Sequence, residues 1–191
     1  MTSSGSVASR RSGWALGAVL LSGLALRVAY LSAQPAVDPT FSRPTLDGGY
    51  YLDWARALVA GRDHNGDAYY LGPLFPHALA LFLAVAGEQF FLLYLCQHLL
   101  VLAGIGVLAW TALRMAGSGA ALSVAALGAL HHPLIFLASQ PLAEPLALFL
   151  LAVTLSLLAR ETPRSAFWAG VAAGLTALAR PSLLLVPMLW G

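Results

Sequence analysis

Residues 90–113 read FFLLYLCQHLLVLAGIGVLAWTAL, a run without aspartate, glutamate, lysine or arginine. About 20 apolar residues, at roughly 1.5 Å of rise each, cross a bilayer core, so this stretch alone predicts a membrane-spanning helix. Working outward from it, the same test selects 14–33, 119–138, 142–159 and 166–190. The last run is interrupted by Arg180-Pro181, because proline removes a backbone donor and biases its predecessor out of the helical region. One helix is therefore expected to end near Ala179. Another is expected to begin at Pro181 or Ser182 and to be still apolar at Trp190-Gly191. The predicted fold class is an all-α integral membrane protein with about five to six transmembrane helices. Composition agrees: 59% of residues are hydrophobic and 9% charged, against roughly 25% charged in soluble domains.

Residues 1–13 form a Ser-rich tail that carries Arg10 and Arg11 just before Trp14. A charged head, a short apolar core and small residues near Ser32-Ala33 also describe a cleavable signal, and Ser9-Arg10-Arg11 is a faint twin-arginine pattern. An uncleaved first helix is the simpler reading beside so many later spans. Threading the spans places Arg10, Arg11, Arg114, Arg160 and Arg164 on one side with Glu161 as the sole acid. That side reads as cytoplasmic, with the N-terminus. Loop 34–88 is then external, with Asp38, Asp47, Asp53, Asp63, Asp67 and Glu88 against Arg43, Arg56 and Arg62. The net charge of +2 is too small and dispersed for a nucleic-acid footprint, so no nucleic-acid partner is expected. Cys96 is the single cysteine, which excludes an intrachain disulfide and a CxxC metal pair.

The external loop has structure of its own. Tyr51, Trp54, Ala55, Leu58 and Val59 recur at helical spacing, Asp53 and Arg56 fall on other faces, and Gly61 is a natural stop. A turn cluster from Arg62 to Asp67 leads through Tyr69-Tyr70 to a second apolar stretch, Leu74 to Ala86, short for a span. Both are expected as helices lying in or near the outer interface. Gly13-x-x-x-Gly17 and Gly170-x-x-x-Gly174 are candidate close-contact positions between helices.

Phosphate-binding, dinucleotide, zinc-peptidase and nucleophile-elbow motifs are all absent. What remains are charges at the outer ends of membrane helices, where they are costly and tend to be functional. Asp47 precedes Gly48-Gly49 and the first interfacial helix, so it reads as an N-cap, a role compatible with accepting a proton from a hydroxyl nucleophile. The two glycines are expected to leave room for a substrate beside it. Asp38, followed by Pro39, reads as a turn residue. Glu144, in SQPLAEP at the outer end of a span, reads as an acid at a positive helix end or as a polar contact in an external cavity. Arg27 is expected to snorkel to lipid head groups or to hold a phosphate. His131-His132-Pro133 suggests metal only loosely, for lack of a third ligand.

Residues 43–61, RPTLDGGYYLDWARALVAG, resemble the first external loop of membrane glycosyltransferases of the GT-C class, within the superfamily of protein O-mannosyltransferases and lipid A aminoarabinose transferase. LGPLFP at 71–76, LAEPL at 142–146 and GLTALARP at 174–181 line up in order with later segments of that family. The resemblance covers nearly all of the chain. It implies transfer of a sugar from a polyprenyl-phosphate donor to a lipid, glycan or protein acceptor at the periplasmic or extracellular face of the plasma membrane, with inversion at the anomeric carbon. Asp47 matches the loop aspartate that contacts or deprotonates the acceptor. Glu144 and Arg180 match an acidic and a basic position, and Arg27, Tyr50 and Tyr51 join them as candidate substrate contacts. No cofactor is called for, and a divalent metal is left open. Two departures stand out: an acidic pair of many relatives is Asp47-Gly48 here, and Gly72 replaces a lysine of the aminoarabinose enzymes, so that substrate is not supported. Family members carry more spans, so the chain is expected to be the N-terminal part of such an enzyme, either a fragment or a reduced protein. The rival expectation is a non-catalytic membrane protein, such as a scaffold or transporter subunit.

Overall fold

The computed structural model describes residues 3–62 and 71–185. Asp63, Asp67 and Tyr69-Tyr70 of the expected loop, and the apolar continuation over 186–191, lie outside the described residues. Among the described residues every regular element is helical: α1 (Ser3–Val37), α2 (Leu46–Val59), α3 (Leu74–Ala86), α4 (Phe90–Leu130), α5 (His132–Leu137), α6 (Glu144–Leu158), α7 (Pro163–Ala179) and a 3-10 turn at Pro181–Leu184. Two stretches are long and apolar enough to cross a membrane, Gly13–Val37 and Phe90–Leu130, whereas α3 and α6 are apolar but shorter.

The long α4 is a hairpin of two arms. Gly117 interrupts it with φ 85 and ψ −175, a conformation open to glycine and closed to most side chains. Ile105 packs directly against Gly128, though the 23 positions between them would separate the two by about 34 Å along a straight helix. The chain therefore reverses at Gly117, which joins the expected spans 90–113 and 119–138. The second arm stops at His131, extended at φ −68 and ψ 103, and Pro133 opens α5 after it.

Four antiparallel-to-parallel contacts organise the rest. Leu20 lies near Gly106, and Gly23 meets both Leu102 and Ala129, so α1 runs against the first arm and alongside the second. Gly104 abuts Phe149 on α6, and α7 packs back along α6. The glycines that permit these approaches are Gly23, Gly104 and Gly128. The expected positions Gly13, Gly17, Gly170 and Gly174 have no described atom within 4 Å of where a Cβ would sit. This corrects the small-residue reading: four-residue spacing sets a face, but not which face meets a neighbour.

One end of the bundle gathers Arg114 and Arg160, which share a cavity. The other end carries α2 and α3, seated on a core of Leu31, Tyr51, Leu52, Phe75, Leu79, Leu93 and Tyr94. The expected α2 face holds in part: Tyr51, Trp54 and Ala55 are buried and Asp53 and Arg56 are exposed, but Leu58 is only half-buried and Val59, at the end of the helix, is exposed. Its stop is a full Schellman motif, with the Gly61 N–H donating to the Leu58 carbonyl and the Arg62 N–H to that of Ala57, at a Gly61 φ of 66. Arg56 donates two bonds to the Glu88 carboxylate, at 2.7 and 2.8 Å, and clips α2 to the turn before α4. That pairing raises the Arg56 pKa and lowers that of Glu88.

Candidate functional site

At the α2 end, three chain segments converge: the start of α2, the turn before α6, and the end of α7. The start of α2 is tight. Its N-cap is Thr45, with no side-chain bond of its own, and the Gly49 N–H closes the first turn onto the Thr45 carbonyl. Asp47 therefore sits one residue inside the helix, which corrects its reading as the N-cap. It remains in the first turn, where a carboxylate is favoured by the positive end of the helix. The two glycines meet the expectation only in part. A Cβ on Gly48 would come within 3.2 Å of Pro141, and one on Gly49 within 2.9 Å of the Pro44 carbonyl oxygen. Both allow close backbone approach, and Gly48 also borders the open space beside Asp47, as expected, whereas Gly49 does not. Leu46, just before Asp47, holds φ 54 and is 90% exposed, a strained position for a branched side chain.

Open space lies on the other flanks of Asp47. A cavity of about 710 Å³ has Asp47, Asp38, Thr45 and Gln140 as its polar wall and Val37, Leu46 and Phe136 on its apolar side. A second, of about 240 Å³, is lined by Asp47, Tyr51, Gly72, Glu144 and Arg180. Asp47 and Leu142 belong to both. Among the described residues no donor reaches the Asp47 carboxylate, which is exposed. Glu144 and Arg180, by contrast, are joined as an ion pair. Glu144 opens α6, with Pro145 behind it, and Arg180 occupies the extended residue that ends α7. The structure thus brings together Asp47, Glu144, Arg180 and Tyr51. Burial, reinforced by the Glu144 and Asp47 charges, pushes the Tyr51 phenol up to about 12. Tyr50 lines neither cavity; its ring stacks edge-on with Tyr51 and Trp54.

Arg27 is elsewhere. Its side chain is fully buried, and Nη2 donates to the Gly128 carbonyl at 3.3 Å. Nε and Nη1 have no described partner. It neither snorkels nor approaches Asp47, because its face of α1 is the one covered by the second arm of α4.

A buried polar chain escaped the sequence reading. Gln97 donates to the Gln140 carbonyl at 2.7 Å, His98 Nε2 lies 3.1 Å from Ser139 Oγ, and Gln140 donates to Asp38 at 3.3 Å. Asp38 is the turn residue expected, accepting from the backbone N–H and hydroxyl of Thr40, and through Gln140 it also ties the end of α1 to the turn before α6. The available signal was Gln97-His98 inside an apolar run, since polar side chains there are costly unless partnered. His131 caps α5, and the His132 ring sits edge-on to Tyr30. Among the described residues no three His, Cys, Asp or Glu side chains cluster as metal ligands. Asp47 shares one cavity with Asp38 and the other with Glu144; Asp38 already accepts from Thr40 and Gln140, and Glu144 is paired with Arg180.

Comparison of the chain with protein-family models, with curated proteins and with solved structures finds no match.

Proposed function

We propose that this chain is a multi-pass membrane glycosyltransferase of the GT-C kind, which moves a sugar from a polyprenyl-phosphate carrier to a hydroxyl acceptor at the outer membrane face. The membrane part rests on two observations. Large apolar side chains face outward along the bundle, among them Leu21 at 67%, Leu127 at 74% and Phe167 at 66% exposed, more than a water-facing monomer ordinarily presents. Arg114 and Arg160 also meet at one end, where Glu161 is the sole acid, while Asp38, Asp47 and Glu144 line the cavities at the other, the asymmetry expected of a cytoplasmic and an external face. On this reading α1, the two arms of α4, α6 and α7 each cross the bilayer, and α2 and α3 lie at its outer surface.

The observation that carries the catalytic reading is the unpartnered carboxylate of Asp47 at the junction of two cavities, one large and mostly apolar, the other holding Arg180. In the proposed reaction the acceptor hydroxyl gives its proton to Asp47 as its oxygen attacks the anomeric carbon. The bond from that carbon to the phosphate oxygen breaks, and the polyprenyl phosphate leaves with the electron pair. Arg180, held in place by Glu144, neutralises the charge that develops on the departing phosphate. Tyr51, neutral at physiological pH, has a hydroxyl able to donate to the sugar or the phosphate.

The test is turnover of radiolabelled polyprenyl-phosphate-linked mannose, glucose and galactose by membranes containing the chain. Release of the carrier phosphate is expected for at least one sugar, and Asp47→Asn is expected to lower it by a factor on the order of 10² to 10⁴ with membrane insertion unchanged. Turnover by Asp47→Asn at the rate of the parent chain removes Asp47 as the base. No turnover of any donor refutes the enzyme reading in favour of a non-catalytic membrane protein.

A further inference from the structure

A second amphipathic site lies at the opposite end of the bundle. Between the first arm of α4 and α6 runs a trough of about 430 Å³, walled by Ala103, Gly106 and Val107 on one side and Val153 and Leu157 on the other. Trp110, 56% exposed, forms its rim. The trough opens into a smaller polar space of about 120 Å³ framed by Thr111, Arg114, Ser156 and Arg160. Ser156 and Arg160 belong to both, so the two are one continuous groove, apolar along its length and cationic at its mouth. Among the described residues neither Arg114 nor Arg160 makes an ion pair.

We infer that this groove binds one anionic glycerophospholipid, its phosphate between Arg114 and Arg160 and an acyl chain along the trough. Two guanidinium groups without a carboxylate partner match a phosphate, which accepts charge-assisted bonds from both. The apolar wall matches a hydrocarbon chain and gives a soluble phosphate nothing to bind. Trp110 sits where an amphipathic ring bridges head group and chain. A zwitterionic head brings its own cation next to the arginines and gains less from them. The site is remote from Asp47 and independent of the sugar-transfer reading, though it rests on the membrane placement.

The test is native mass spectrometry of the purified chain from micelles containing equal phosphatidylglycerol and phosphatidylcholine. One phosphatidylglycerol is expected to remain bound in preference to phosphatidylcholine. Arg114→Gln with Arg160→Gln should reduce that retention about tenfold, with helicity by circular dichroism unchanged, and Arg114→Lys with Arg160→Lys should keep most of it. Val153→Trp, which fills the trough, should reduce retention with both arginines present. Arg164→Gln, a charge outside the groove, should leave it intact. Equal retention of the two lipids, wild-type retention in the double glutamine variant, or an equal loss in Arg164→Gln overturns the proposal. Release of the chain from membranes by carbonate overturns the membrane placement itself and is read before any lipid is added.

Discussion

Replacing Arg27 by methionine is expected to stabilise the protein. The Arg27 guanidinium has no solvent contact. It makes one long hydrogen bond, 3.3 Å, to the Gly128 carbonyl, and leaves Nε and Nη1 without described partners. A buried ion carries a desolvation penalty of several kcal/mol even after relaxation. The opposing gain is a single charge-assisted bond, worth about 1.5–3 kcal/mol at good geometry and less at this length. Methionine keeps the unbranched stem and fills the same space with polarizable apolar atoms. The net change should be about 1–4 kcal/mol in favour of Arg27→Met, the range seen when buried ion pairs are replaced by apolar residues of similar volume, with no paired charge here to be lost. Each kcal/mol corresponds to roughly 2–4 °C in a chain of this size, so the midpoint of thermal unfolding, followed by circular dichroism in one detergent, should rise by several degrees. Arg27→Ala, which also leaves a cavity, should fall below Arg27→Met. Since Arg27 lines neither cavity at Asp47, sugar-donor turnover should be unchanged by Arg27→Met. A lower midpoint for Arg27→Met would refute the reasoning, by showing that the buried cation is better solvated or better paired than its described contacts allow.

Gly72→Ala should cost more than Gly128→Ala. A Cβ at Gly72 would lie 2.5 Å from the carbonyl oxygens of Leu178 and Ala179, which are backbone, whereas at Gly128 the obstacle is the Ile105 side chain. Overpacking against backbone is expected to cost about 2–3 kcal/mol, and the shift should also displace Arg180 and lower turnover; equal melting points for the two variants would contradict this. The Tyr51 phenol, raised to about 12, should appear in the difference between ultraviolet titrations of the parent chain and Tyr51→Phe as a late step near that pH. Folding keeps the neutral phenol, so the associated stability is complete below pH 10 and is lost as pH rises to about 12. That loss is on the order of 2–3 kcal/mol. A Tyr51 step at the ordinary pH near 10 would show the ring to be far more open to water.

Much of the helical layout is written locally. Gly61 ends α2 and Pro181 follows the end of α7 because backbone preference at a turn is set by one or two residues, whatever lies across the fold. Leu74–Ala86 forms as expected, for its apolar run is bounded by Pro73 before and Gly87 after, the latter at φ 66. The break between the arms of α4 was visible in the polar Gly-Ser-Gly at 117–119. The grouping of Asp47, Glu144 and Arg180 was foreshadowed only by resemblance, since 36 positions separate the last two and no periodicity connects them.

Other features belonged to tertiary structure. Whether Arg27 faced lipid, water or protein depended on which side of α1 the second arm of α4 would cover, and a nearly uniform apolar helix does not mark that side. The same holds for the glycines: Gly23, Gly104 and Gly128 lie where helices cross, Gly13 and Gly170 do not, and crossing points are set by long-range packing. Asp47 itself moved from the cap to the first turn because Thr45 and Pro44 shape the backbone before it. By itself the sequence determined that the chain is helical, apolar and unevenly charged between its apolar runs, because those properties are carried residue by residue. Which charges meet, which are entombed and which remain free was decided only when distant helices packed, since that choice depends on pairs of faces that no single segment contains.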